Sequence, residues 1–437
     1  MKKLLSAIAF VILNPTLALA QAVSRFPKPD FQSEYFRPSM QTPAAKSQLM
    51  EFLDVFVLIG ALSLASYFAL KLRSRRKMFL LMIFSLIYFG FFRKGCICPV
   101  GSVQNISLGI FNSGYAIPLT AIAFFALPLI FTLFFGRTFC AAVCPLGAIQ
   151  DTVVLRPVNV APWLAQVLGI FPYVYLGLAV LFASTGAGFI ICQYDPFVGF
   201  FRFGASFNMI VLGISMLMLG TVVARPYCRF LCPYGVLLNW MSRLSKWHAR
   251  ISPDECINCR LCEESCPFGA IDMPTGDAQS NRDRNIKQLA VLFLLVPVIV
   301  LGSGWVVSRL HAPLSAQHST VALADTIMLE NSGARAFTTE ESDIFRASGK
   351  PSEELFAEAD ILRDKFKTGA WVLGLFLGCI VCVKLIGLTM LKRHTEYTTN
   401  TGHCLSCARC FSYCPIEQVR LGNMAPEEAM KLKQSIE

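Results

Sequence analysis

The sequence predicts a mainly α fold: a polytopic membrane helical bundle with an internal duplication, carrying a small α+β head. Three observations carry this. Of 437 residues, 54% are apolar and only 15% charged, with mean hydropathy +0.54, whereas an ordinary soluble domain is about a quarter charged. The apolar residues fall in long runs, and the seventeen cysteines recur in short, repeated spacings. Such a composition excludes a disordered chain. The formal charge of +11 lies mainly beside the apolar runs, so it reads as orientation charge and excludes a nucleic-acid partner.

Residues 1–20 carry Lys2 and Lys3, a short apolar stretch and the small residues Ala18 and Ala20, the pattern of an export signal cut after Ala20. The alternative, an uncleaved anchor, is opposed by Asn14-Pro15 and the shortness of the stretch. Residues 21–48 then form an exported N-terminal segment. Seven runs follow that can cross a bilayer, at about 49–70, 78–92, 115–135, 164–184, 207–224, 288–308 and 369–391. At ~1.5 Å per residue, 115–135 reaches about 31 Å; the run at 78–92 is short and needs flanking residues or thinned lipid. The first run ends at Lys71, Arg73, Arg75, Arg76 and Lys77, the kind of cluster that stays cytoplasmic. Counting onward puts Arg137, the loop 225–250, Arg282 to Lys287 and Lys392-Arg393 on the same side, with Arg93-Lys94 as exceptions. Residues 309–368 are the one sizeable exported loop, read as loop followed by an amphipathic helix that starts at Pro351-Ser352-Glu353-Glu354.

Cys256-x2-Cys259-x2-Cys262-x3-Cys266-Pro267 recurs as Cys404-x2-Cys407-x2-Cys410-x3-Cys414-Pro415. Three thiolates of such a run wrap one iron–sulfur cubane while the fourth reaches a second cluster; tetrathiolate zinc more often uses two distant pairs. Both copies count as cytoplasmic, in segments 251–287 and 392–437, so they are expected to fold together as a split two-cluster ferredoxin-like head. Cys266 then joins Cys404, Cys407 and Cys410, and Cys414 joins Cys256, Cys259 and Cys262, giving two cytoplasmic [4Fe–4S] clusters.

The bundle, residues 49–250, holds a second pattern. Cys140-x3-Cys144-Pro145 follows the third run and Cys228-x3-Cys232-Pro233 the fifth. Residues four apart share a helical face, so each motif is expected to aim two thiolates one way, and together they make one membrane [4Fe–4S] site near the inner face. Helix-packing cysteines are the alternative. The opposite ends of those spans carry Cys96-x-Cys98-Pro99 and Cys192-x2-Asp195-Pro196. Span, outer motif, span and inner motif thus repeat as 78–147 and 164–235. By this pseudo-symmetry Cys96, Cys98 and Cys192 converge near the outer face, with Asp195 as fourth ligand of an additional iron–sulfur cluster. A disulfide plus a free thiol, or simple packing, stays open there, although a Cys-x-Cys pair is badly spaced for bridging to itself. Cys379 and Cys382 read as helix packing and Lys384 as a snorkelling side chain. His248, His311, His318, His394 and His403 lie outside the runs, which opposes membrane haem, and no nucleotide-binding glycine motif occurs. No catalytic residue is assigned.

These motifs resemble the NosR/NapH-type membrane polyferredoxins, over about residues 78–270 and 369–420. The resemblance implies electron transfer between a quinol pool or a cytoplasmic donor and a periplasmic acceptor, a flavin or metalloprotein, from a multi-pass position in the bacterial inner membrane. Cys140, Cys144, Cys228 and Cys232 match the family's membrane pairs, and the two ferredoxin runs match its cytoplasmic sets. The chain lacks an exported flavin domain of the NosR type, and the Cys96/Cys98/Cys192 trio exceeds the NapH-type minimum. The expected function is an iron–sulfur electron conduit, a component of an oxidoreductase system. A quinol dehydrogenase subunit is the first alternative, and a redox-sensing or maturation factor the second. Direction of flow is not readable from these residues.

Overall fold

A long apolar run satisfies its backbone polar groups within lipid by coiling on itself. The computed structural model describes residues 48–95, 98–155, 157, 158, 160–251, 256, 257, 259–274, 282–335, 337–390 and 396–429. The expected export signal, the segment before Gln48 and Cys96 lie outside the described residues. Among the described residues the chain is mostly helical, with one two-stranded ribbon.

Helices stand at all seven expected places, but four are long and apolar enough to cross a membrane: Leu49–Leu70, Pro162–Thr185, Ile286–Ser308 and Ser352–Thr389. In chain order the bundle runs α1 (Gln48–Leu70), α2 (Arg75–Ser85), α3 (Pro99–Phe111), α4 (Leu119–Phe135), α5 (Thr138–Ala142) and α6 (Pro145–Thr152). It continues through α7 (Pro162–Leu168), α8 (Phe171–Thr185), α9 (Ile190–Gln193), α10 (Val198–Arg202), α11 (Phe207–Val222), α12 (Pro226–Phe230) and α13 (Pro233–Arg243). The short second run is α2 widening into a π-helical turn, Leu86–Phe92. The bundle core gathers Leu58, Met78, Phe89, Phe124, Phe139, Leu176, Phe197 and Tyr234. It draws on α1 to α6, α8, α10 and α13, so the short motif helices pack inside the bundle with the spans around them.

The head begins with α14 (Leu261–Glu264) and β1 (Ile271–Asp272). Next come α15 (Arg282–Ser308), α16 (His311–Ser315), α17 (Ser319–Asn331), α18 (Glu340–Ala347) and α19 (Ser352–Thr389). The chain then returns to the head as β2 (Thr398–Thr399), α20 (Arg409–Tyr413) and α21 (Pro415–Arg420). β1 and β2 pair antiparallel, Ile271 opposite Thr399 and Asp272 opposite Thr398, so segments far apart in sequence meet at this ribbon.

Two expectations need amending. The part of 309–368 before Pro351, expected as loop, is largely helical, and it shares a small core of Val321, Leu323, Ile327 and Phe345 with Leu355 and Leu362 of the expected helix. A capping box closes the start of α18, Thr339 and Ser342 bonding each other's backbone. The amphipathic helix and the last span are also a single 38-residue helix, α19, because no proline interrupts 352–389. It lies tightly against α15: the Ser303 hydroxyl donates to the Gly374 carbonyl at 2.8 Å. A Cβ on Gly374 would stand 2.5 Å from the Ser303 carbonyl oxygen, and one on Gly378 2.1 Å from Ser303 Oγ. Small residues four apart let two backbones approach in lipid.

Candidate metal centres

Each membrane motif bends at its second cysteine. Cys140 lies in α5 and Cys144 is the extended cap of α6; Cys228 lies in α12 and Cys232 is the extended cap of α13. The shared helical face expected for Cys-x3-Cys is therefore wrong. Pro145 and Pro233 disfavour helix at the residue before them and suit the first position of the next helix. The break still gathers the thiols: Cys144 lies within electrostatic reach of Cys140, Cys228 and Cys232, and Cys232 accepts the Gly235 N–H at 3.3 Å. The Tyr234 hydroxyl donates to the Phe125 carbonyl at 2.7 Å. Cys232-Pro233 thus stands beside the early turns of α4, about 15 Å in helix rise from the α4 end at Phe135.

The ferredoxin runs also turn alike. Arg260 and Ala408, each following the second cysteine of its run, hold φ near +60°, which swings the third cysteine back toward the first two. Cys262 is felt by Cys259, Cys256 and Cys414, and its thiol is pushed up to about 11, by burial first and those neighbours next. Cys404, raised to about 12 by burial, is felt by Cys407 and Cys266. Cys410 responds to Cys407, Cys404 and Cys266, and to Cys262 of the other run. Cys256, Cys259, Cys262 and Cys414 line one pocket together with Cys410, Phe411 and Tyr397. Bonds from the bundle fix this head in place: Arg137 donates to Gly402 O at 3.1 Å, Ser242 to Thr401 O at 2.7 Å, and Arg73 pairs with Glu417 at 2.8 Å. Cys140 packs on the same small core, Ala224, Phe268, Ala270 and Leu405, as Cys266, Cys404 and Cys407.

At the outer motif, Cys98 caps α3 in extended conformation and interacts with both Asp195 and Cys192. All three line a cavity of about 260 Å³ with Glu51, Asp54 and Arg93. Cys98 is also within electrostatic reach of Cys144 and Cys232, so the outer and inner motifs adjoin. Asp195 accepts the backbone N–H of Phe197 at 2.8 Å and of Val198 at 3.2 Å, so it caps the start of α10 as well as facing Cys98. Cys379 and Cys382 stay on α19, away from these sets, and the Lys384 ammonium donates to Gln166 O at 3.0 Å.

Comparison with known proteins points to 4Fe–4S binding. One 4Fe-4S binding domain model matches residues 117–170 and 205–252, and a second matches 249–272. NirI of Paracoccus denitrificans is 32% identical over 34% of this chain and 24% of its own length. NosR of Pseudomonas aeruginosa, a regulatory protein by name, is 24% identical over 61% of this chain and 39% of its own. YccM of Escherichia coli, a putative electron transport protein by name, is 22% identical over 39% and 52%. These matches support a NosR/NapH-like 4Fe–4S family for the chain. It spans between a quarter and about half of these three relatives. No solved structure matches.

The donor sets of this NosR/NapH-like chain suit iron–sulfur ligation. Among the described residues no three His, Cys, Asp or Glu side chains converge as they do on a single ion; a cubane spreads its ligands wider. Buried thiols that raise one another's pKa are readily stabilised as thiolates by bound iron. Buried donors without partners among the described residues stand beside them: Nε of Arg137, whose Nη2 is 3.9 Å from Cys140 Sγ, and Nη1 of Arg229, near Cys266.

Sequence reasoning missed a buried network. Arg225, 1% exposed, binds Asp151 through Nε at 3.0 Å and Nη2 at 2.9 Å, and donates to the Cys140 and Ala141 carbonyls. Arg75 reaches the same carboxylate at 3.0 Å. An arginine directly before Pro226 and the Tyr227-Cys228 pair was the available signal. Gln150 was missed as well; its amide donates to Cys228 Sγ at 3.2 Å.

Proposed function

We propose that the chain is an electron-transfer protein of the bacterial inner membrane, its ferredoxin runs cytoplasmic, linking a cytoplasmic or quinol donor to a periplasmic flavin or metalloprotein. One observation carries the reading: the four cysteine sets adjoin in series. Cys262 neighbours Cys410, Cys404 and Cys407 share a core with Cys140, and Cys144 and Cys232 feel Cys98. Clusters bound at these sets would supply one-electron carriers. Cys256, Cys259, Cys262 and Cys414 would hold one, Cys404, Cys407, Cys410 and Cys266 a second, Cys140, Cys144, Cys228 and Cys232 a third, and Cys98, Cys192 and Asp195 a fourth. Arg137, Arg225 and Arg229 offset the thiolate charge, and the Cys-Pro breaks hold the backbone close to the sulfurs.

Iron and sulfide analysis with an EPR-monitored redox titration tests this on wild type and Cys192→Ser purified without oxygen. Four clusters, about 14–16 iron atoms, are expected, and Cys192→Ser removes one signal while sparing the ferredoxin-type signals. A colourless, iron-free protein overturns the reading; loss of no signal removes the outer cluster from it.

A second reading, quinol oxidation, is favoured by the cavity beside Cys98 and Cys192. Its volume, about 260 Å³, approaches the lower end of ligand pockets, and it holds the buried Asp54, which accepts from Arg93 and from the Tyr88 hydroxyl. Anaerobic addition of a short-chain quinol should then reduce the Cys192-dependent signal first. No reduction of any signal removes this second reading.

A further inference from the structure

The runs that open α3 and α6 share a longer spelling, Cys98-Pro99-x-Gly101-x2-Gln104 and Cys144-Pro145-x-Gly147-x2-Gln150. Both glutamines are 0% exposed. Each sets its carboxamide oxygen on the backbone N–H just before a cysteine of the second motif: Gln104 on Ile191 at 2.9 Å, and Gln150 on Tyr227 at 3.0 Å. A backbone N–H only donates, so this bond fixes which end of each amide is oxygen and where the NH2 group lies. In Gln150 that group donates to Cys228 Sγ at 3.2 Å and to Leu146 O at 2.7 Å. In Gln104 it is buried without a partner among the described residues, an arrangement that ordinarily destabilises a fold. The missing acceptor lies toward the outer centre. Gly101, one turn before Gln104 and on the same face, is so close to Cys192 that a Cβ there would stand 3.2 Å from its Sγ.

The other half of the centre repeats too. Asp195 and Cys232 each precede a proline, and each accepts the N–H of the residue three further on, Val198 at 3.2 Å and Gly235 at 3.3 Å. Cys98, Cys192 and Asp195 thus take the places of Cys144, Cys228 and Cys232, with one thiolate exchanged for a carboxylate.

We propose that the Gln104 carboxamide donates a hydrogen bond to the sulfur shell of the outer centre, as Gln150 does to Cys228, and so raises the reduction potential there. The inference rests on the outer cluster of the proposed function. A donor to sulfur stabilises the more negative, reduced state. The test is a redox titration of full-length Gln104→Met and Gln150→Met, with the outer signal identified by its loss in Cys192→Ser.

Gln104→Met should move the outer signal alone to lower potential. At the wild-type midpoint the oxidised-to-reduced ratio should rise up to tenfold, which is 59 mV for one electron. Gln150→Met should move only the signal of the Cys140/Cys144/Cys228/Cys232 set. An outer midpoint unchanged in Gln104→Met, or moved together with the inner one, leaves Gln104 as a clamp on Ile191 and overturns the proposal. If Gln104→Met does not assemble, pulsed EPR of wild type labelled with 15N-glutamine decides: a 15N coupling in the outer signal is expected, and its absence overturns the proposal. A wild type with no Cys192-dependent signal refutes the outer cluster itself, a separate failure that takes the hydrogen bond with it.

Discussion

Arg225 adopts φ of +50°, a conformation that costs a non-glycine residue about 1–3 kcal/mol, and it is repaid by four hydrogen bonds to fixed oxygen acceptors. Two of those acceptors are the Cys140 and Ala141 carbonyls, so the guanidinium clamps the loop from which the inner thiols project. Burial alone would raise the Asp151 carboxyl, but Arg225 and Arg75 hold it well below the usual carboxylate range. A depressed folded pKa means that its contribution is present above the unfolded value of about 3.9 and is lost as pH falls through the folded one. Thermal unfolding in detergent should therefore show no weakening of this pair between pH 8 and pH 5. Asp151→Asn should cost about 3–5 kcal/mol at either pH, because it strands a buried cation. A cost that disappears at pH 5 would contradict the assignment.

Among elements, the prolines decide how the cysteines meet. Apolar runs and Cys spacings were legible in the sequence, and helices do stand at all seven places. The fault lay in treating Cys-x3-Cys as continuous helix when Pro145 and Pro233 were in plain view. Pro145→Ala should let α5 and α6 merge, turning Cys144 away from its partners and removing the signal of the Cys140/Cys144/Cys228/Cys232 set while the ferredoxin-type signals persist. An unaltered EPR spectrum would show that the break does not position the thiol. The α15–α19 pair rests on a different device. Gly378→Leu should force these helices apart and lower the unfolding temperature in detergent, because a Cβ at Gly378 already meets Ser303. The sequence hid this contact, since small residues within an apolar run carry no periodic signal.

Across the whole molecule, the head is built by two segments separated by a pair of long helices and a small helical unit. Its cysteine spacing was legible, but a ribbon of two residues per strand is too short to leave an alternating pattern. Hydropathy counts spans and says nothing of the short motif helices folded back among them, so the approach of Cys98 to Cys144 and Cys232 was not legible in the sequence. If each segment lends a cysteine to the other's set, as proposed, deleting residues 392–437 should abolish both ferredoxin-type EPR signals together. Survival of one at full intensity would mean that the segments bind independently.

The uninterrupted α19 has a mechanical consequence. At ~1.5 Å per residue it is a rod about 57 Å long, seated at one end in the unit around Phe345 and leading at the other toward Thr398 in the head ribbon. A stiff rod braced along its flank by α15 transmits tilt where a hinged one would absorb it. A tilt imposed at the Phe345 end is therefore carried along the helix toward Thr389.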